Sequence, residues 1–100
     1  MLDALLDSLI QTGRAPRFVE GQLGPILALP VRPRGTLLAT LEALFAARFN
    51  IAEAARRLGV RRQTVYYRLE QLNGMLGDLD APYRRTGLIV ALELLKRTGS

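Results

Sequence analysis

Arginine side chains are concentrated in one short part of the chain, residues 56–68, which we call the arginine segment. It contains five Arg and no acidic residue, and the formal net charge of all 100 residues is also +5, so the remaining residues sum to zero. The five are Arg56, Arg57, Arg61, Arg62 and Arg68. A guanidinium group donates paired hydrogen bonds to phosphate, to carboxylate or to the edge of guanine. The segment therefore predicts a surface for an anionic partner, and a merely solvated face is the alternative.

Polar and aromatic residues alternate with these arginines at helical spacing. At about 100° per residue, one apolar face is formed by Val65, Leu69, Leu72 and Leu76. Six residues lie outside that face: Gln63 and Tyr67 nearly opposite it, Thr64 and Tyr66 on its two sides, and Arg62 and Arg68 at its margins. The pattern indicates a helix over about 62–76 that shows hydrogen-bond donors, acceptors and flat rings to its surroundings.

Such a helix face suits the major groove of double-stranded DNA. Arg pairs with guanine, Gln with adenine and a Thr methyl group with thymine, while Tyr contacts phosphates or sugars. Packing against a neighbouring helix is the alternative for Tyr66 and Tyr67. For Arg56 and Arg57 two interpretations stay open, namely compensation of a helix dipole and contact with a phosphate strand.

Residues 50–69 predict the two short helices that position this face. Asn50 followed by Glu53 resembles a capping box, and Gly59 supplies the left-handed residue that ends the first helix. Ala54 and Ala55 are small enough for a second helix to cross closely, and only two or three residues separate the helices. Two short helices that cross at small residues and are joined by so short a turn are typical of a helix-turn-helix.

The rest of the chain predicts an all-α fold, a three-helix core plus a C-terminal helix after a short helical N-terminal segment. The first expected helix ends near Gly13 and carries the apolar stripe Leu2, Leu5, Leu6, Leu9 and Ile10. A helical turn or two over 17–23, which Gly24 and Pro25 interrupt, and a non-helical linker over 30–35 follow it. The next helix runs from the N-cap Thr36 to about Arg48, and the last runs from the N-cap Asp80 to Gly99 with Leu88, Ala91, Leu92 and Leu95 inward. Gly74 predicts fraying or a bend after Asn73. We expect residues 1–29 to be an N-terminal extension or the tail of an upstream domain and residues 36–98 to be the helix-turn-helix domain.

Composition agrees with this interpretation and excludes many enzymes. The chain has 20 Leu and 12 Ala but no Cys and no His, so thiolate catalysis, Ser-His pairs and the usual zinc ligand sets are absent. We expect no enzymatic activity, no cofactor and no metal site. The first residues lack a signal-peptide pattern and no stretch is long and apolar enough for a membrane, so we expect a cytoplasmic, nucleoid-associated protein.

The segment Leu37–Gly77, LLATLEALFAARFNIAEAARRLGVRRQTVYYRLEQLNGMLG, resembles the C-terminal DNA-binding domain of PucR-type bacterial transcription regulators. The similarity is most specific at Asn50, Ala54, Ala55, Arg62-x-Thr64-Val65 and Tyr67-Arg68-Leu69, and it is more distant to the Fis-type helix-turn-helix. Residues 17–27 resemble the stretch that leads into this domain, and residues 80–95 its closing helix.

The resemblance implies that Arg61, Arg62, Thr64, Tyr66 and Tyr67 face DNA, with Arg62 the principal base reader. Three positions depart from the family pattern: Arg61 stands where His or Ser is usual, Tyr66 where Arg is frequent, and Phe49 where Gly is common. Such regulators are long chains with upstream sensory domains, so the resemblance implies that an effector binds outside this chain, which is a fragment or a small standalone regulator.

Two other functions stay open at this point. A protein-interaction or dimerisation module would use the N-terminal and last helices as a partner surface. Non-specific, architectural DNA binding of the Fis type would show strong salt dependence and little sequence preference. The leading hypothesis is sequence-specific binding of bacterial promoter DNA by a homodimer.

Overall fold

The computed structural model describes residues 2–98, and they form six helices and no strand. The helices are α1 (Leu2–Gln11), α2 (Ala15–Leu27), α3 (Val31–Ala46), α4 (Ile51–Leu58), α5 (Arg62–Leu76) and α6 (Pro82–Thr98). The expected all-α class is confirmed. No helix in this range combines the length and apolar character that a membrane span requires.

Residues 25–79 form one compact unit, which contains α3, α4 and α5 in mutual contact. Its interior is apolar and draws on all three helices, the largest share coming from α3. The buried residues of the helices are Leu37, Thr40, Leu41, Ala43 and Leu44 on α3, Ala54 and Ala55 on α4, and Val65, Leu72 and Leu76 on α5. This three-helix core confirms the helix-turn-helix and positions α5.

The expected linker over 30–35 is wrong, because α3 begins at Val31 with Pro30 as its N-cap. Pro33 stands in the first turn, where a backbone N–H has no partner inside the helix and the proline ring meets no preceding turn. Thr36 is consequently an interior residue of α3 and not its N-cap.

The junction between α3 and α4 contains the two non-glycine residues with positive φ in the described range, Arg48 at 52° and Phe49 at 61°. The Phe49 N–H donates to the Leu44 carbonyl over 2.8 Å. The Phe49 ring packs edge-on against Phe45, with 5.5 Å between ring centroids. Phe49 thus occupies a backbone conformation that favours glycine.

Residues 2–24 and 80–98 form the second compact unit, in which α1 contacts α6. Asp3 and Asp7 both pair with Arg97, and Arg84 donates to the Gln22 side chain over 2.9 Å. The α1 helix is confirmed, but its apolar stripe is not buried as expected, because of its residues only Leu6 lies in the core.

Two further expectations about helix ends are wrong. The α2 helix continues through Gly24 and Pro25 to Leu27, although an interior proline removes a hydrogen bond. Leu23 and Ile26 on either side of it are fully buried, which offsets that loss. The α6 helix begins at Pro82, so Ala81 rather than Asp80 precedes its first residue, and the expected stop at Gly99 lies outside the described residues.

Inward positions on α6 are largely as expected. Leu88, Ala91 and Leu92 are buried, but Leu94 is fully buried where Leu95 was expected, and Leu95 is half-buried. Val90 is buried as well, so the buried face of α6 extends to the side that carries Val90 and Leu94, which lie four residues apart.

Candidate nucleic-acid interface

The turn between α4 and α5 is set by local signals. The Asn50 Oδ1 accepts a hydrogen bond from the Glu53 backbone N–H at 3.0 Å and so caps α4. Gly59 ends this helix with φ of 68°, and the Val60 N–H donates to the Ala55 carbonyl at 3.0 Å. Since α5 begins at Arg62, three residues separate the two helices.

The capping box expected at the start of α4 is formed only in part, because the Glu53 carboxylate is engaged elsewhere. It accepts from the Arg56 Nε at 3.1 Å, pairs with the Arg56 Nη2, and lies 3.4 Å from the Arg57 Nε. The hydrogen bond and charge of Arg56, followed by the charge of Arg57, lower the pKa of Glu53. The five charges of the arginine segment are thus reduced to four when this carboxylate is included.

The first turn of α5 combines positive charge with an open helix end. Arg61 is the N-cap residue, in extended conformation, and its side chain makes no capping hydrogen bond. No acidic residue stands in this turn. Because the first backbone N–H groups of a helix lack internal partners and carry partial positive charge, this end favours an anion.

Five side chains in the first two turns of α5 and at its N-cap are exposed, and we call them the α5 outer face: Arg61, Arg62, Gln63, Tyr66 and Tyr67. The tyrosines are 57% and 64% exposed, so neither is buried against a neighbouring helix as the alternative interpretation required. Thr64 is half-buried beside them, while Val65 is fully buried. The helical spacing of Val65, Leu69, Leu72 and Leu76 predicted this division.

A shallow groove of about 520 Å³ follows the α5 outer face toward the C-terminal end of the helix. It is lined by Gln63, Tyr66, Tyr67, Leu69, Glu70 and Asn73. Glu70 introduces a negative charge here, so the positive potential of the face is concentrated at its N-terminal end. The helix continues through Gly74 to Leu76, and the expected fraying after Asn73 is not observed.

Arg68, also predicted as a site residue, lies in a different environment from the exposed residues of the α5 outer face. It is half-buried, and its Nη1 donates to the Thr40 Oγ1 on α3 at 3.3 Å. The side chain therefore lies at the boundary between α3 and α5 and is not part of the α5 outer face.

Sequence reasoning missed two partners of the predicted arginines. Glu53 precedes Arg56 and Arg57 by three and four residues, a spacing at which oppositely charged side chains meet on a helix, so this pairing was readable. Thr40 interrupts the apolar face of α3, and a polar residue there is a weaker signal that the structure explains through Arg68.

Comparison with known proteins identifies a family over more than half of the chain. The family model described as the PucR C-terminal helix-turn-helix domain matches residues 37–94, which are 58 of the 100 residues. The match confirms the resemblance predicted from the sequence. No curated protein and no solved structure matches the chain significantly.

Proposed function

Because the chain belongs to the family of PucR C-terminal helix-turn-helix domains, which is associated with DNA binding and transcription regulation, we propose that it binds double-stranded DNA sequence-specifically. The N-terminal half of α5 enters the major groove, where the α5 outer face contacts base edges and the bordering phosphates and sugars. The proposed domain extends to residue 98 and begins before residue 36, because α3 begins at Val31. Enzymatic activity is not typical of this family.

The observation that carries the proposal is the arrangement of exposed side chains at the start of α5. Arg61, Arg62 and Gln63 are exposed, whereas Val65 and Leu72 on the same helix are fully buried. The helix is thus held by its apolar face while its donors project outward, as base readout in a groove requires.

The proposed roles differ among the residues. Arg62 and Gln63 read bases, Thr64 contacts a base or its methyl group, and Tyr66 and Tyr67 contact phosphates or sugars. Arg61 binds a phosphate at the helix end. Arg56 and Arg57 add longer-range attraction, which their pairing with Glu53 weakens.

We further propose that a homodimer binds, with two recognition helices in successive major grooves about 34 Å apart. This geometry predicts a palindromic site and a stoichiometry of two chains per duplex. Sedimentation of the complex with DNA measures that stoichiometry.

The experiment is fluorescence anisotropy with a pool of random-sequence duplexes, from which a preferred site is selected. Binding should weaken steeply between about 50 and 200 mM salt, because phosphate contacts release counterions. At the selected site Arg62→Ala should cost about 1–3 kcal/mol and relax one base position. Arg17→Ala removes the same charge from an exposed position on α2 and should have little effect.

Equal affinity of the Arg62→Ala variant and the wild type would contradict the assignment. Steep salt dependence without any preferred sequence would favour architectural binding of the Fis type instead.

A second candidate function has its own observation. Leu2, Leu5 and Ile10 are 37–50% exposed, and all three belong to the apolar stripe of α1. They favour a protein-interaction or dimerisation module, which predicts self-association without DNA affinity.

A further inference from the structure

A buried hydroxyl group connects the recognition helix to α3. Thr40 is the one polar residue in the core of the described chain, and its Oγ1 donates to the Thr36 carbonyl at 2.8 Å. That bond uses the only proton of the hydroxyl group, so the oxygen faces Arg68 as an acceptor. The Arg68 Nη1 donates to it at 3.3 Å. The polarity and orientation of Thr40 thus fit a fixed guanidinium partner.

The Arg68 guanidinium group keeps most of its hydrogen-bonding capacity. It has five N–H donors, and within residues 2–98 its bond to Thr40 is its one hydrogen bond to the protein. The side chain is half-buried, so one edge of the group is held at the α3–α5 boundary while solvent reaches the other. A guanidinium group in this state can donate two parallel hydrogen bonds to an anion with a pair of acceptor oxygens, such as a phosphate.

Arg68 also shares a side of α5 with two residues nearer the helix N-terminus. Arg61, Thr64 and Arg68 follow the spacing i, i+3, i+7, which places them along one side of a helix. Arg61 is exposed and Thr64 half-buried. When a helix lies in the major groove, its two sides approach the phosphate strands that border the groove.

We propose that Arg68 binds a DNA phosphate and that Thr40 is the positioning residue that holds it for this contact, a role that rests on the function proposed above. Thr40 touches no DNA. It restricts the rotamers of Arg68 before binding, so that less side-chain freedom is lost when the phosphate is bound. The phosphate contact in turn fixes the register of the α5 outer face on the base pairs.

The test compares Thr40→Val, which keeps the shape but removes the acceptor, with Thr40→Ser, which keeps the hydroxyl group. Binding to the selected duplex is measured by anisotropy over a salt series. Thr40→Val should raise Kd about threefold to tenfold, the range of one lost hydrogen bond, whereas Thr40→Ser should stay within about twofold of the wild type. Arg68→Ala should weaken binding and reduce the salt slope by about 0.9.

A double-mutant cycle identifies the coupling between the two residues. If Thr40 acts through Arg68, Thr40→Val should weaken binding much less in the Arg68→Ala background than in the wild type. Arg68→Lys keeps the charge without the planar fork and should retain the salt slope while binding more weakly. This variant leaves α3 intact, so it tests the phosphate contact even if Thr40→Val does not fold.

Thermal unfolding of each variant separates positioning from stability. The proposal would be overturned by a Thr40→Val variant that unfolds at a lower temperature but binds DNA with the affinity and salt slope of the wild type. Additive effects of the two substitutions in the double-mutant cycle would overturn it as well. If the wild type binds and Arg62→Ala weakens it while Arg68→Ala does not, only this inference fails. If the wild type binds no DNA, the proposed function itself fails.

Discussion

The two compact units of the molecule differ in the polar contacts found inside each of them. In the unit of residues 25–79, the caps of α4 join residues three to five positions apart, as with Asn50 and Glu53. The unit of residues 2–24 and 80–98 also has local pairs, such as Arg85 with Asp80, but its helices are joined by polar contacts between distant parts of the chain. Arg97 pairs with Asp3 at 2.6 Å, 94 residues away, and Arg84 donates to Gln22 at 2.9 Å, 62 residues away.

Their apolar residues differ as well. Small side chains, Ala54 and Ala55, are buried in α4, where two short helices must cross closely. In α1 one leucine is buried and Leu2, Leu5 and Ile10 remain exposed. The comparison teaches that local caps and the close crossing of two short helices specify the α4–turn–α5 region. The second unit instead brings distant parts of the chain together around buried residues such as Leu6 and Leu88, with exposed ion pairs that contribute little each.

The largest effect on stability is expected from overpacking the helix crossing. Ala55 is 4% exposed, so Ala55→Leu adds three carbon atoms to a site without room for them. We expect it to destabilise the protein by about 1–3 kcal/mol. Urea unfolding followed by circular dichroism measures the change.

Ala39→Leu is the matched control, because Ala39 lies on an exposed face of α3. It should change stability by less than about 0.5 kcal/mol. Equal stability of the two variants would mean that close packing of α4 does not specify this unit.

A smaller effect on stability distinguishes two helical glycines, Gly74 in the last turn of α5 and Gly87 in the interior of α6. A Cβ at Gly74 on α5 meets nothing within 4 Å, so Gly74→Ala should stabilise the protein by up to about 1 kcal/mol through helix propensity. A Cβ at Gly87 on α6 would lie 2.6 Å from the Gln22 Oε1, which accepts from Arg84. Gly87→Ala should therefore stabilise the protein less than Gly74→Ala, because it displaces the Gln22 side chain from Arg84.

Thermal unfolding of both glycine variants measures this difference. An equal gain from the two substitutions would show that the Gln22–Arg84 contact contributes nothing to the second unit. Gln22→Ala in the Gly87→Ala background is the control, since little of the contact should remain there to lose.

The sequence predicted the α4–turn–α5 region almost to the residue because its signals act over a few positions. Asn50 and Gly59 fix the ends of α4 through backbone geometry, and the repeat of Val65, Leu69 and Leu72 fixes the face of α5. The exposure of the tyrosines followed from the same repeat.

Errors occurred where tertiary burial overrides a local rule. Pro25 was expected to interrupt α2, yet it stands between the buried residues Leu23 and Ile26. The linker over 30–35 was an error of another kind, because a proline in the first turn of a helix, as Pro33 is in α3, does not break it. The amphipathic pattern of α1 predicted a helix correctly but could not indicate whether another element covers its apolar face. Likewise, the bond between Arg68 and Thr40 joins residues 28 positions apart and has no local signal.

The most direct test of the central claim asks which unit meets DNA. The ¹⁵N-labelled chain is titrated with the selected duplex, and the backbone amide shifts are followed by NMR. We expect the largest changes in residues 56–68, centred on Arg61–Gln63, and small changes in α1 and α6. Changes concentrated in α1 and α6, with the amides of α5 unaffected, would contradict the account.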